Sequence, residues 1–398
     1  MKKICIISNL HLSSNPRVWK EANSLANAGY EVLILTIWTS QKKKDEDIAF
    51  IHHPKLSYKA ALDLTEVSPL KFFYYRALAR LGKEIKSFFN IDTTYALGYG
   101  QSLLKQQALK EKADLYIAHT EYGMLIGQKL LKENKKVAFD FEDWYSHDYM
   151  ITSRPVKLLC RLEKFAIENA AYCTFPSNSM AKEVKEFYHS KKKVHNIIYN
   201  GFSSKENAIN NISDKSISSL IWFSQTIGPG RGLETLLTAL SYVNSKVELH
   251  LLGFCDEDYK NKLIDWFPQN LGHQLFFHSP VSHSDLISVL QQHSIGLAIE
   301  EDYPESRNTT ITNKILQYIQ AGIRVLATAT KGQKEVARYF PEAVELVPFN
   351  DPERWAASIE KILSSPSENK KMQLQKFNEI FSWEAQEEKF LKLVSETI

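Results

Sequence analysis

Two short stretches in the second half of this 398-residue chain carry residue types suited to gripping a phosphate. The first is NTTITNKILQYIQAGIRVLAT, residues 308–328. Its polar part ends at Thr312, Asn313 and Lys314, and an amphipathic run with Ile315, Leu316 and Ile319 follows. That order predicts a helix beginning near Thr312 and Asn313, whose side chains can cap it. First-turn amides attract anions, and Lys314 adds a point charge. Gln317 lies one turn beyond Asn313. The second stretch is QTIGPGRG, residues 225–232, which follows an apolar run and opens a helix. Its backbone N–H groups and the Arg231 guanidinium suit the same ligand. Alone, each stretch also reads as something ordinary: a loop, helix and strand, or a Gly-Pro turn with a surface arginine.

Both stretches need a scaffold, and the chain supplies one by alternation. KICIIS (3–8) reads as a buried strand, NPRVWKEANSLANAG (15–29) as a helix closed by a glycine, and YEVLILT (30–36) as a second strand. That β–α–β unit implies parallel strands. Strands at 113–119 and 136–142 flank a helix near 123–134; strands at 172–177 and 195–201 flank one at 178–188. Residues 203–219, rich in Ser, Asn and Lys, read as a domain boundary. The alternation then restarts, with strands at 220–225, 247–253, 274–279, 295–300 and 323–328 and a helix at 232–243. Open α/β sheets bind ligands beyond the carboxyl ends of their strands. Gln225, Thr226, Ser279 and Glu301 stand at such ends.

Composition bounds the rest. The chain is 44% hydrophobic and 24% charged, which is ordinary for a globular protein of two or three domains. A net charge of +3 gives no basic stripe for nucleic acid. The four cysteines, Cys5, Cys160, Cys173 and Cys255, show no CxxC spacing and read as separate thiols in a reducing compartment. The opening apolar stretch is too short for a signal sequence, and no run of 18 apolar residues suggests a membrane span.

The ordered series of segments resembles a GT-B glycosyltransferase, specifically retaining family 4. PRVWKEANSLANAGYEV resembles that family's first helix and second strand. YIAHTEYG resembles its His-bearing strand end, and FDFEDW its Asp-x-His-Glu segment. RLEKFAIENAAYCTFPSNSMAKEV with IIYNGF resembles the end of its N-domain. LFFHSPVSHSDLISVLQQHSIGLAIE resembles the stretch before its donor motif, and FSWEAQEEKFLKL its terminal helix. The resemblance implies an α/β architecture of two Rossmann-like domains facing each other across a cleft. Residues 1–203, with a helix at about 380–398 packing back, would form the acceptor side, and 204–379 the nucleotide-sugar side.

The resemblance also implies roles. Arg231 matches the basic residue on the diphosphate. Thr312, Asn313 and Lys314 match the helix start at the distal phosphate. Gln317 matches the second Glu of a Glu-x7-Glu motif, and His119 an N-domain His facing the transferred sugar. Three departures stand out. Thr309 replaces the motif's first Glu, Thr226 replaces an Arg, and HLSSNPR (11–17) replaces a Gly-rich loop. Glu300, Glu301 or Glu305 then becomes the candidate sugar-binding carboxylate, and Asn15 and Arg17 candidates for the phosphates.

The implied reaction moves a sugar from a nucleotide-diphosphate sugar to a glycan or lipid-linked acceptor, in cell-surface polysaccharide or glycoconjugate synthesis. It would retain configuration, with no cofactor and no metal. The DED triplets at 45–47 and 256–258 suggest metal binding on another architecture, and here they read as solvated loop acids. KFFYYRALARLGKEIKSFF (71–89) is a basic amphipathic helix. Tyr74, Leu78, Leu81, Ile85 and Phe88 share a face, which either packs on the N-terminal domain or meets a membrane. The expected location is cytoplasmic, at the inner membrane face if that contact forms. Two other classes fit the architecture. One is a sugar-nucleotide epimerase or hydrolase using Asp140, Glu142 and Asp143. The other is a non-catalytic partner protein.

Overall fold

The structure is a computed structural model that describes residues 1–192, 196–206, 218–365 and 370–398. The chain divides into two compact units, Met1–Tyr199 with Glu387–Ile398, and Asn200–Gln386. Unit 1 holds β1 (Lys3–Ile7), β2 (Glu31–Trp38), β3 (Leu56–Asp63), β4 (Leu115–His119), β5 (Val137–Asp140), β6 (Cys173–Phe175) and β7 (Asn196–Ile197). They form one parallel sheet in the order β3-β2-β1-β4-β5-β6-β7. Unit 2 holds β8 (Ser218–Ile227), β9 (Val247–Cys255), β10 (Gln274–His278), β11 (Ile295–Ala298), β12 (Arg324–Thr328) and β13 (Val344–Val347). Its parallel order is β10-β9-β8-β11-β12-β13.

The strand sequences explain the layering. Ile4, Cys5, Ile6 and Ile7 of β1 are all buried, as are Val32, Leu33, Ile34 and Leu35 of β2. A strand covered on both faces reads as a continuous apolar run, and helices supply both covers. In each sheet the order reverses at a central strand pair, β1/β4 in unit 1 and β8/β11 in unit 2. The crevice at that reversal is where such sheets bind ligands.

Some expected elements differ. The strand at 195–201 is only Asn196–Ile197, with 193–195 outside the described residues. Of the polar segment 203–219, residues 207–217 also lie outside them. The basic helix spans Pro69–Phe89, but it packs on a different face from Tyr74, Leu81 and Phe88. Ala79, Gly82 and Lys86 are its buried residues. Gly82 decides this: a Cβ there would meet the Ala96 nitrogen at 2.7 Å and Thr93 Oγ1 at 2.8 Å. Lys86 adds a buried ion pair with Asp92 at 2.8 Å. Close backbone approach and one paired charge outweigh the apolarity of the other face.

The C-terminal helix Trp383–Thr397 begins in unit 2 and ends in unit 1. Phe390 and Val394 are buried, and Lys136 Nζ donates to the Thr397 carbonyl at 2.6 Å. Phe390→Ala should destabilise unit 1 by about 3–5 kcal/mol, the usual loss for a buried aromatic ring. Urea unfolding followed by tryptophan fluorescence would read this.

Candidate functional site

In unit 2, two loops meet the β8/β11 reversal. After β8, residues 228–232 turn sharply, with positive φ at Gly230 (70°) and Gly232 (75°). A Cβ at Gly232 would also lie 2.3 Å from Ile299 Cγ2, so glycine is required there on both counts. Helix Leu233–Leu240 starts immediately afterwards. Arg231 makes no hydrogen bond or ion pair with any described residue. Gln225 and Thr226 are exposed in the last part of β8, and Ser279 is exposed just past β10.

After β11, helix Asn313–Gln320 starts with Thr312 as its N-cap residue. The expected cap does not form: no side chain bonds the first-turn amides, and Thr312 Oγ1 is buried without a partner. The contrast within unit 2 is informative. Asp256, Ser282, Thr330 and Asp351 each cap their helix through the side chain. The two helices beginning at the sheet reversal, Leu233–Leu240 and Asn313–Gln320, have no side-chain cap. Neither amide set is satisfied from within, so each keeps its partial positive charge for an external anion.

The neighbouring carboxylates are unequally committed. Glu300 pairs with Lys314, whose ammonium also lies 5.6 Å over the Trp222 ring. Glu305 pairs with Lys331 at 2.6 Å and accepts from Asn308 at 3.2 Å. Glu301 has only a loose contact with Arg307 at 3.8 Å. Thr309 is fully buried, and its hydroxyl donates to the Glu305 and Ser306 carbonyls. Gln317 is buried and makes no side-chain hydrogen bond with a described residue. Asn313 is exposed and accepts from Asn200 at 3.3 Å.

Unit 1 gathers its charges differently. Arg17, one residue into helix Pro16–Asn27, lies inside the protein. Its Nε and Nη2 both lie 2.8 Å from Asp140 at the end of β5, and Nη1 donates to the Ile198 carbonyl at 2.7 Å. Asn15 caps that helix and donates to Glu142 at 2.8 Å. These two residues, expected to approach phosphates, are instead occupied inside unit 1. The reason is charge: Asp140 and Glu21 are buried carboxylates that need a cation.

His119 ends β4 and is fully buried, not facing outward as expected. Its Nδ1 is 2.8 Å from Glu142 and its Nε2 3.1 Å from Glu21. Burial opposes its charge, but Glu21 and the two carboxylate hydrogen bonds outweigh that, and its pKa is pushed up to about 10. Burial likewise opposes the Asp140 charge, yet Arg17 and His119 hold that carboxyl below its ordinary value. The imidazole is therefore a cation held on both sides.

Ligand atoms of Glu21, His119 and Asp140 lie within 4.8 Å of one another, the distance range of a metal site. The set does not fit one. Arg17 already supplies the positive charge there, and both His119 nitrogens are engaged. One acid of each DED triplet is engaged, Asp47 with His11, Ser13 and Tyr58 and Asp256 as the cap of helix Glu257–Trp266, while Asp45, Glu46, Glu257 and Asp258 are exposed. Asp143, a candidate acid–base group, is half-buried, with its pKa raised to about 6 by desolvation.

Residues 204–378 match the family described as glycosyl transferases group 1. No curated protein matches the chain significantly. Several solved structures do over its whole length. A glycosyltransferase from Rickettsia africae has a TM-score of 0.67 at 13% identity, covering 100% of this chain and 98% of its own. Alr3699/HepE from Anabaena, in complex with UDP and glucose, has 0.66 at 13%, covering 100% of both. The UDP-forming α,α-trehalose-phosphate synthase from Burkholderia vietnamiensis has 0.67 at 10%, covering 99% and 100%. The fold is GT-B, and most of unit 2 carries the group 1 sequence pattern.

A folded-state pKa raised above the unfolded value stabilises the fold on the acid side. The advantage of the wild type over His119→Gln should be fully present below about pH 6.5, the unfolded value. It should shrink as pH rises and vanish through about 10. Arg17→Met should cost about 3–5 kcal/mol, because it leaves buried carboxylates unpaired. Urea unfolding across pH 6–10 measures both.

Proposed function

We propose that the protein is a retaining, metal-independent glycosyltransferase that uses a nucleotide-diphosphate sugar. The observation that carries this reading is the uncapped start of helix Asn313–Gln320, which holds Lys314 and follows β11, with the Arg231 loop following the neighbouring strand β8. The group 1 sequence match over residues 204–378 supports the same assignment.

The chemistry follows from where charge develops. The bond between the anomeric carbon and the diphosphate oxygen breaks, leaving negative charge on the phosphate. The acceptor oxygen bonds to the same face of that carbon, and its proton passes to the departing phosphate oxygen. The amides of Asn313 and Lys314, the Lys314 ammonium and the Arg231 guanidinium stabilise the departing charge. Fixed donors of this kind each supply about 3 kcal/mol. Lys314 meets the phosphate by sharing or leaving Glu300. Gln317 is assigned to the ribose, and Glu301, the least committed of the three carboxylates, to the sugar hydroxyls. Gln225, Thr226 and Ser279 line the same strand ends. His119 exchanges no proton in this scheme; as a held cation it fixes the end of β4.

The acceptor is a glycan or a lipid-linked saccharide, in cell-surface polysaccharide or glycoconjugate synthesis. A lipid-linked acceptor requires work at the cytoplasmic membrane face, and residues 71–89 are the segment suited to that contact. Among the described residues no helix is long and apolar enough to cross a membrane. The engaged state of Thr309 favours a second reading, a partner protein without activity. Calorimetric titration with UDP, GDP and ADP separates the two. One nucleotide should bind, with UDP tested first because similar structures hold it; binding of none sinks the catalytic assignment.

Arg231→Ala and Lys314→Ala should each lower turnover at least tenfold, with unchanged circular dichroism and melting. Turnover in EDTA should equal turnover without it.

A further inference from the structure

The carboxyl ends of β4 and β5 carry more acids than unit 1 answers. Glu121 stands in the first turn of helix Thr120–Leu131, which follows β4. Glu142 and Asp143 follow β5, and Asp148 closes the short turn Tyr145–His147. Two of these acids are engaged. Glu142 bonds His119 and accepts from Asn15, and Asp148 pairs with Arg154 at 3.1 Å. The other two are not. Glu121 meets Arg154 only at 3.5 Å, and its Oε2 is buried without a hydrogen bond. Asp143 accepts from the Trp144 amide at 2.7 Å and has no ion pair among the described residues. Desolvation pushes the Asp143 carboxyl up to about 6 and the Glu121 carboxyl above its ordinary value. A positive neighbour would relieve both.

A third group points to the missing partner. Tyr145 is 8% exposed, and its hydroxyl is buried with no hydrogen bond. The carboxylates whose charges act on that hydroxyl are Glu142, Asp143, Asp140 and Glu121. Buried hydroxyls ordinarily find a partner. This one has four acceptors about it and donates to none of them. The site therefore holds one unspent O–H donor and unspent carboxylate oxygens on two residues.

Charge and spacing define the ligand. Against Glu121, Glu142, Asp143 and Asp148 stand Arg154, His119 and, beyond ion-pair distance from Glu121, Lys83. Four acids against three bases leave one negative charge over. A bare divalent ion does not fit it. Among the described residues only Glu21, His119 and Asp140 bring three ligand atoms within metal range. An anionic group would be repelled. An ammonium supplies donors for both carboxylates, and a hydroxyl oxygen on the adjacent carbon accepts from Tyr145. Those two groups side by side are a vicinal amino alcohol, the arrangement in a sugar whose amine is unacylated.

We infer that these residues bind the acceptor and that it presents a free amino sugar, its ammonium held by Asp143 and Glu121 and its neighbouring hydroxyl by Tyr145. This rests on the reading that the protein is a glycosyltransferase whose unit 1 takes the acceptor. The test uses the whole chain and three probes: methyl 2-amino-2-deoxyglucoside, its N-acetyl derivative and methyl glucoside. Ligand-observed NMR at pH 7 reads their binding. The amine should bind at least tenfold more tightly than the other two. Asp143→Asn, which keeps the side-chain shape, should remove that preference. Glu121→Gln should reduce it, and serves in its place where Asp143→Asn melts early. Tyr145→Phe should weaken the amine several-fold with unchanged melting; unchanged binding there overturns the hydroxyl contact and leaves the phenol to a water. Equal binding of the three probes, binding of none, a preference indifferent to both carboxylate changes, or displacement of the amine by millimolar calcium overturns the amine site. UDP titration of the same samples keeps the donor reading separate. UDP binding without an amine preference defeats only this inference, and an amine preference without nucleotide binding defeats the transferase reading while the amine site stands.

Discussion

Unit 1 depends on one buried guanidinium. Arg17 reaches from the first helix to Asp140, 123 positions later in the chain, and to the Ile198 carbonyl beyond β7. It thereby ties the start of the fold to its far strands. It holds the Asp140 carboxyl below its ordinary value, while burial pushes Glu21 up to about 7 against the pull of His119 and Arg17. His119 shares the task, clasped between Glu21 and Glu142. The five side chains form a closed set in which each charge answers another. The segment 11–17, which brings Arg17 in, is therefore a structural bolt.

The two units treat charge in opposite ways. In unit 1 the charges at the strand ends are spent on one another. In unit 2 the helix starts at the sheet reversal are left uncapped, and Arg231 is unpaired among described residues. An unsatisfied helix start lowers stability by about 1 kcal/mol relative to a capped one. Four other helices of unit 2 avoid that cost. Both helices of eight residues that start uncapped in unit 2 begin at the sheet reversal, and that distinguishes a binding edge from ordinary surface. Lys314 is intermediate, since it is paired with Glu300.

What was legible in the sequence followed burial. Strands covered on both faces, such as β1, β2, β9 and β12, announced themselves as apolar runs. β3 did not, because LSYKAALD mixes buried and open positions at the edge of its sheet. β13 is four residues long and half open. The phosphate-suited stretches were visible as loops before helices, but their missing caps were not, since Thr312 has the right side chain and does not use it. The network of Arg17 was invisible for another reason: its partners are distant in the chain, and a lone Arg beside a Pro carries no trace of them. Amphipathicity did not identify the packed face of Pro69–Phe89. It points to the most apolar face, whereas Gly82 selected the face that could approach the 93–96 backbone most closely.

The crossing of the C-terminal helix bears on the order in which the protein is made. Unit 2 is one uninterrupted span, Asn200–Gln386, whereas unit 1 needs Glu387–Ile398 to be complete. On the ribosome, the segment synthesised first is thus the one that must wait. Residues 1–199 can form their sheet early, but Phe390 and Val394 reach their buried places only after all of unit 2 has emerged. The unit begun first is the one whose last piece is made last.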